Sequence, residues 1–265
     1  MFAVTALDPR RLAAEFTGAA LLVFGGGGAA VISGQNLTVS ALGHLLALGI
    51  AVYAFAGISG GHVNPAVTIA LAAGRYFPWR QVPGYVIAQI LGGIAGAGLL
   101  AAAYGDIVLQ AGLGATRIDE RVASITALYI EALGTFILVL AVMAFAVNPR
   151  APRGLSGLGI GGALAAVILV VGPTTGAALN LARAFGPETM LWLTGNGNAD
   201  AWKDMYIYTL GPVIGAAIAV LVYSWMAGMS GTVDDDESDA SDEADDSDDD
   251  NNLDDDNTAI EPTPA

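Results

Sequence analysis

Apolar residues run in long blocks along this chain, and charged residues stand almost entirely between the blocks. No Asp, Glu, Lys or Arg occurs in residues 16–74, 81–105, 132–149, 154–182 or 205–233. About 20 consecutive apolar residues carry an α-helix across a bilayer. The pattern therefore predicts six membrane-spanning helices, at roughly 12–33, 39–58, 82–104, 122–147, 156–172 and 205–228. The first follows Arg10 and Arg11 and has the outline of a signal peptide. Its length, Glu15 and its echo later in the chain argue against cleavage.

Two uncharged stretches are too short to cross. Residues 62–74 would reach about halfway through the hydrocarbon, at about 1.5 Å per residue. Pro65 suits the first turn of a helix, where its missing N–H has no helical partner, and Asn64 is then the N-cap. Residues 179–186 repeat the arrangement around Asn180. The halves echo each other at one offset: Glu15 and Glu131, Gly18 and Gly134, and Asn64 and Asn180 are each 116 residues apart. Three spans separate the copies, so they enter the membrane from opposite sides, and inverted repeats place a shared site near the midplane. Non-helical backbone at membrane depth is tolerated only inside protein or along a wet cavity. Two half-helices thus predict a polar path where their N-termini meet. The expected fold is an all-α membrane protein of six transmembrane helices plus two half-helices.

Composition agrees. Of 265 residues, 54 % are hydrophobic and 13 % charged, against roughly 25 % charged in a soluble domain. Cysteine is absent, which excludes disulfides and thiolate sites, and two histidines leave little for a metal centre. The net charge of −15 comes from residues 234–261, which hold 16 acids and no Lys or Arg; the rest has nine acids and ten bases. Residues 231–265 read as a disordered acidic tail, the bias expected where salt screens self-repulsion. Recruitment of a basic partner is a less favoured reading. Arg10, Arg11, Arg75, Arg80, Arg150 and Arg153 fall on one side of a six-span count, and that side is predicted cytoplasmic with both termini. The other loops hold Arg117 and Arg121, offset by Asp119 and Glu120, and Lys203 beside Asp204.

The run from Ser59 to Thr68 (SGGHVNPAVT) closely resembles the first signature of the aquaporin, or major intrinsic protein, family; Thr175 to Pro187 (TGAALNLARAFGP) resembles the second. The resemblance covers about residues 10–228 and implies an hourglass channel in the cell membrane. Residues 1–230 would form its channel domain, with halves at about 10–105 and 122–230, and four protomers would each carry a pore. One departure stands out: Asn180-Leu181-Ala182 replaces the family's Asn-Pro-Ala, whereas Asn64-Pro65-Ala66 keeps it. Leu181 loses the fixed φ, but Asn180 can still cap.

Each half-helix presents about half a positive charge at its N-terminus. Two such ends raise the energy of any cation, and the amides of Asn64 and Asn180 can donate to a passing oxygen. Arg183 stands three residues after Asn180, and an intramembrane charge defaults to a functional reading. The resemblance makes Arg183 part of the narrowest constriction, and spacing from the asparagines assigns His44, Ile168 and Ala177 as its partners. This quartet resembles the filters of plant tonoplast intrinsic proteins, implying a somewhat wide throat. The family's glutamates brace the half-helix loops, which assigns that role to Glu15 and Glu131, with a proton relay as the alternative. His62 matches a loop-bracing histidine.

The expected function is a passive channel for water, with ammonia, urea or hydrogen peroxide as further solutes, excluding protons and ions. A glycerol-type facilitator is the alternative. Such facilitators usually carry Asp after the filter Arg, and Ala184 stands here; Tyr208-Thr209-Leu210-Gly211-Pro212 keeps one of two aromatics common in water channels. An ion-coupled transporter and a non-conducting tetramer rank lower. The chain shows no nucleophile–base set, so no enzyme is expected, and no cofactor, metal or nucleic-acid partner. Gly25–Gly28 has no preceding strand or nearby Lys and reads as helix packing.

Overall fold

A computed structural model describes residues 8–152 and 154–232. Most of the acidic segment, from residue 233 on, lies outside the described residues, as does Arg153. Six helices are long and apolar enough to cross a membrane. These are α1 (Pro9–Ile32), α2 (Leu37–Ser59), α4 (Val82–Tyr104), α5 (Ser124–Val147), α6 (Ser156–Thr175) and α8 (Met205–Ala227). The half-helices are α3 (Pro65–Ala73) and α7 (Leu181–Leu193). α7 continues through Pro187 and exceeds the 179–186 expected from sequence. Among the described residues every regular element is helical.

Local chemistry sets the starts. Asp8 caps α1 by accepting from Arg10 N at 2.8 Å, with Pro9 at the first helical position, and Asn36 caps α2 through Val39 N at 3.0 Å. α2 and α6 end in left-handed glycines 116 residues apart, Gly60 (φ 89°) and Gly176 (φ 78°), a backbone that glycine adopts without steric cost. Beyond these caps the chain doubles back and starts α3 and α7.

Packing follows the repeat. α1 lies on α4 and α5 on α8, the same pair in each half, while α2 packs on α6 across the pseudo-twofold. Half-helix α3 of the first half packs on α8 of the second, and α7 packs on α4 of the first. Each half thus holds the other's half-helix. These crossings are close because small residues line them. A Cβ at Gly92 would lie 2.9 Å from the carbonyl carbon of Phe16, and one at Gly215 would lie 2.7 Å from that of Ala132. Phe16 and Ala132 are themselves 116 residues apart. The outer faces carry exposed Leu42, Leu46, Ile50, Leu158, Leu169 and Val170, an apolar girdle suited to hydrocarbon.

Candidate functional site

The site is built on two buried carboxylates. Glu15 and Glu131 are both 0 % exposed. Glu15 accepts from Ser59 Oγ (2.6 Å), His62 N (2.9 Å), Val63 N (2.6 Å) and Gln89 Nε2 (2.6 Å). Glu131 accepts from Thr175 Oγ1 (2.6 Å), Ala178 N (3.1 Å) and Leu179 N (2.8 Å). Each carboxylate therefore holds the N–H groups of the loop leading into a half-helix. Tyr85 and Tyr208 complete the frame, donating to the carbonyls of Ser59 (2.9 Å) and Thr175 (2.8 Å).

Held this way, Val63 and Leu179 take φ of 54° and 53°. A bulky residue at positive φ, above all β-branched Val63, is a strained arrangement that survives only where its surroundings over-determine it. The strain turns the Val63 and Leu179 carbonyls toward the opposite half. Asn64 Nδ2 donates to Leu179 O and Asn180 Nδ2 donates to Val63 O, both at 2.8 Å. Each Asn Oδ1 caps its own half-helix: Asn64 accepts from Ala66 N (2.9 Å), and Asn180 from Ala182 N (2.9 Å) and, more weakly, Arg183 N (3.4 Å). Leu181 thus leaves the second cap intact, while Pro65, Ala66 and Ala182 are packed at the helix starts.

Both asparagines line a cavity of about 350 Å³. Its lining includes apolar Leu22, Leu48, Val52, Val67, Leu138, Val142, Ile160 and Leu164, and Gly60, Gly61, His62, Ala178 and Leu179 of the loops that enter the half-helices. His44 and Arg183 line it too. Ile168 and Ala177, expected beside them, are 3 % and 1 % exposed and fall outside this lining. Leu164, one turn before Ile168, and Ala178, next to Ala177, face it instead. Spacing from a motif gives chain position; the turn of the helix and the positive φ of Ala177 (46°) decide what faces the space.

Two of the lining residues carry buried polar atoms without a partner. Arg183 Nε and Nη1 and His44 Nε2 have no protein partner. The Nδ1 of His44 lies 2.8 Å from the Ser40 carbonyl, which can only accept, so Nδ1 carries the proton. Thr68 Oγ1 donates to Asn64 O (3.1 Å) and so accepts from His62 Nδ1 (3.1 Å) and Gln89 Nε2 (3.0 Å). The His62 ring also meets Phe77 edge-on and lies tilted against Tyr85, at centroid distances of 4.7 and 5.3 Å. His62 is thereby both a brace and part of the wall.

The loop between α4 and α5 closes over the Arg183 end. Asp119 N donates to Thr174 O (2.9 Å), and a Cβ at Gly176 would meet Thr116 at 3.0 Å. Arg117 pairs with the buried Glu188 of α7, not with its acidic neighbours in the loop, while Arg121 grips Asp119 at 2.7 Å and holds that carboxyl well below its usual range. Glu188 was passed over in sequence, being a single acid in an apolar run. Ser59 and Thr175, both hydroxyls at the 116-residue offset, were a signal that could have been read. Gln89 carries no such mark, since nothing in the second half repeats it.

An apolar helical body, wrapped around a central cavity where two half-helix starts meet, is a membrane channel. Residues 3–223 match the family model for Major intrinsic protein. The chain is 38 % identical over 241 residues to the probable aquaporin AqpM of Archaeoglobus fulgidus, covering 82 % of this chain and 97 % of that protein. It is 39 % identical over 246 residues to aquaporin AqpM of Methanothermobacter thermautotrophicus, with the same coverage. Its fold resembles the X-ray structure of the aquaglyceroporin from Plasmodium falciparum, with a TM-score of 0.75, 23 % identity, and coverage of 81 % and 95 % of the two chains. The chain belongs to the major intrinsic protein family, whose members are passive channels for water and small solutes and not enzymes.

Proposed function

We propose that the chain conducts water and small neutral solutes, with ammonia, urea and hydrogen peroxide as further cargo, and excludes protons and ions. The crossed asparagines carry this reading. A primary amide has two N–H donors and one oxygen. In Asn64 and Asn180 the oxygen is committed to a cap and one N–H to the opposite loop. One N–H remains on each for the cavity. A water bonded to both accepts twice and turns its hydrogens outward, which breaks a proton wire. The two helix N-termini, each about half a positive charge, repel cations at the same point.

Arg183 adds a full positive charge to the cavity, with His44, Leu164 and Ala178 in the same lining and Ile168 and Ala177 buried near them in the chain. Glu15 and Glu131 support the channel reading over a coupled transporter. Their oxygens are occupied by four and three loop and side-chain donors, and neither residue lines the cavity. The protein sits in the cell membrane as a homotetramer, with both termini and the His62 end cytoplasmic.

Reconstituted vesicles test this. After an osmotic step, fast shrinkage with a low activation energy and no dependence on sodium or proton gradients is expected. Background shrinkage would overturn the reading, and gradient-dependent flux would replace it with coupled transport. Glycerol flux matching water would favour the facilitator alternative.

A further inference from the structure

The run Gly25–Gly28 sits where α1 makes a π-turn, Val23–Gly27. Each of these glycines faces a different neighbour. A Cβ at Gly25 would lie 3.0 Å from Ala47 Cβ, and one at Gly28 would lie 3.2 Å from Leu100. Gly27 faces the backbone of Gly114 in the loop over the Arg183 end. Gly26 faces the imidazole of His44: a Cβ there would fall 2.6 Å from Cγ and 2.8 Å from Nε2, inside contact distance of the Cγ–Cδ2–Nε2 edge of the ring.

The pseudo-twofold sharpens the observation. The residues 116 places after Gly26 and His44 are Val142 and Ile160, and both line the other half of the cavity. An apolar pair fills the position in one half, and a glycine under an imidazole fills it in the other.

We propose that Gly26 is the seat of His44: a positioning residue whose missing side chain leaves room for the ring against the π-turn, with Nδ1–H on the Ser40 carbonyl and Nε2 left without a protein partner. In that pose Nε2 is an unpartnered acceptor on a residue that lines the same cavity as Arg183, whose buried Nε and Nη1 donors are also unpartnered. An added acceptor favours ammonia, with three donor groups and one lone pair, over water, with two of each. The proposal deepens the reading of the constriction above and rests on it. A methyl at position 26 pushes the ring off Ser40 and turns Nε2 away.

The test uses the full chain in vesicles, with water flux read from osmotic shrinkage and ammonia flux from internal alkalinisation. Gly26→Ala is expected to lower the ammonia-to-water ratio by about fivefold, the loss of one net hydrogen bond. Added to His44→Ala, the same change is expected to move the ratio less than about twofold, because no ring is left to displace. With two histidines in the chain, the ¹⁵N shifts of the His44 ring can be assigned, and Gly26→Ala is expected to erase its Nδ1–H pattern. Wild-type shifts and ratio in Gly26→Ala, or an equal effect in both backgrounds, would overturn the seat. If Gly26→Ala fails to assemble, rescue by His44→Ala supports the proposal and absence of rescue refutes it. Wild-type vesicles without flux would defeat the channel reading, while the ¹⁵N result would still decide the seat.

Discussion

Arg183 is buried with two nitrogens unpartnered, an arrangement that costs stability unless a solute completes it. Arg183→Val removes the cation and widens the throat. We expect solute discrimination to fall, with urea and glycerol flux rising several-fold relative to water in reconstituted vesicles; an unchanged solute profile would take Arg183 out of the constriction. The carboxylates act differently. Glu131→Gln keeps the shape but sets an NH₂ group against N–H donors from Ala178 and Leu179. Hydrogen bonds to charged groups are worth about 1.5–3 kcal/mol each, so a loss of about 3 kcal/mol and a clear drop in thermal midpoint are expected. Glu15→Gln, which disturbs four donors, should destabilise more. Equal midpoints for both variants and wild type would show that the loops hold their shape without these anchors.

At the level of the element, the half-helices show what a sequence can and cannot disclose. Asn180 already has ψ 116°, close to the 121° of Asn64, in the extended region that a following proline demands. Leu181 stands at the first helical position, where an N–H has no intrahelical acceptor. Leu181→Pro should therefore raise stability by about 0.4–1 kcal/mol, through the unfolded chain, and leave water flux unchanged. A lower thermal midpoint in detergent would mean that the second loop differs from the first in a way the capping geometry hides. Asn64, Asn180, Glu15 and Glu131 were legible because chemistry and spacing repeat together. Ile168 and Ala177 were located in the chain but not in the cavity wall, since periodicity does not fix which turn of a buried helix meets a lumen. The Arg117–Glu188 pair joins residues far apart in sequence, and no local pattern announces it.

For the whole molecule, the charge distribution divides the chain more sharply than the fold does. The segment 234–261 carries 16 acids, whereas the remainder is nearly neutral. A neutral solute has no charge for that field to steer, and at physiological salt the field decays over about 8 Å. The cavity is lined from α1, α2, α3, α5, α6 and α7 and the loops beside the half-helices, and no described residue after 228 is among those lining the space. Gly231 nevertheless lies against the backbone of Gly74 and Arg75, at the end of half-helix α3. Two truncations separate these effects. Ending the chain after Thr232 removes the acids and keeps that contact; ending it after Ser230 removes both. Both proteins are expected to match the full chain in water flux per assembled channel, at low and high salt alike, with the shorter one melting slightly earlier. Flux lost from the longer truncated chain, with assembly and thermal midpoint unchanged, would make the acidic segment a working part of the channel.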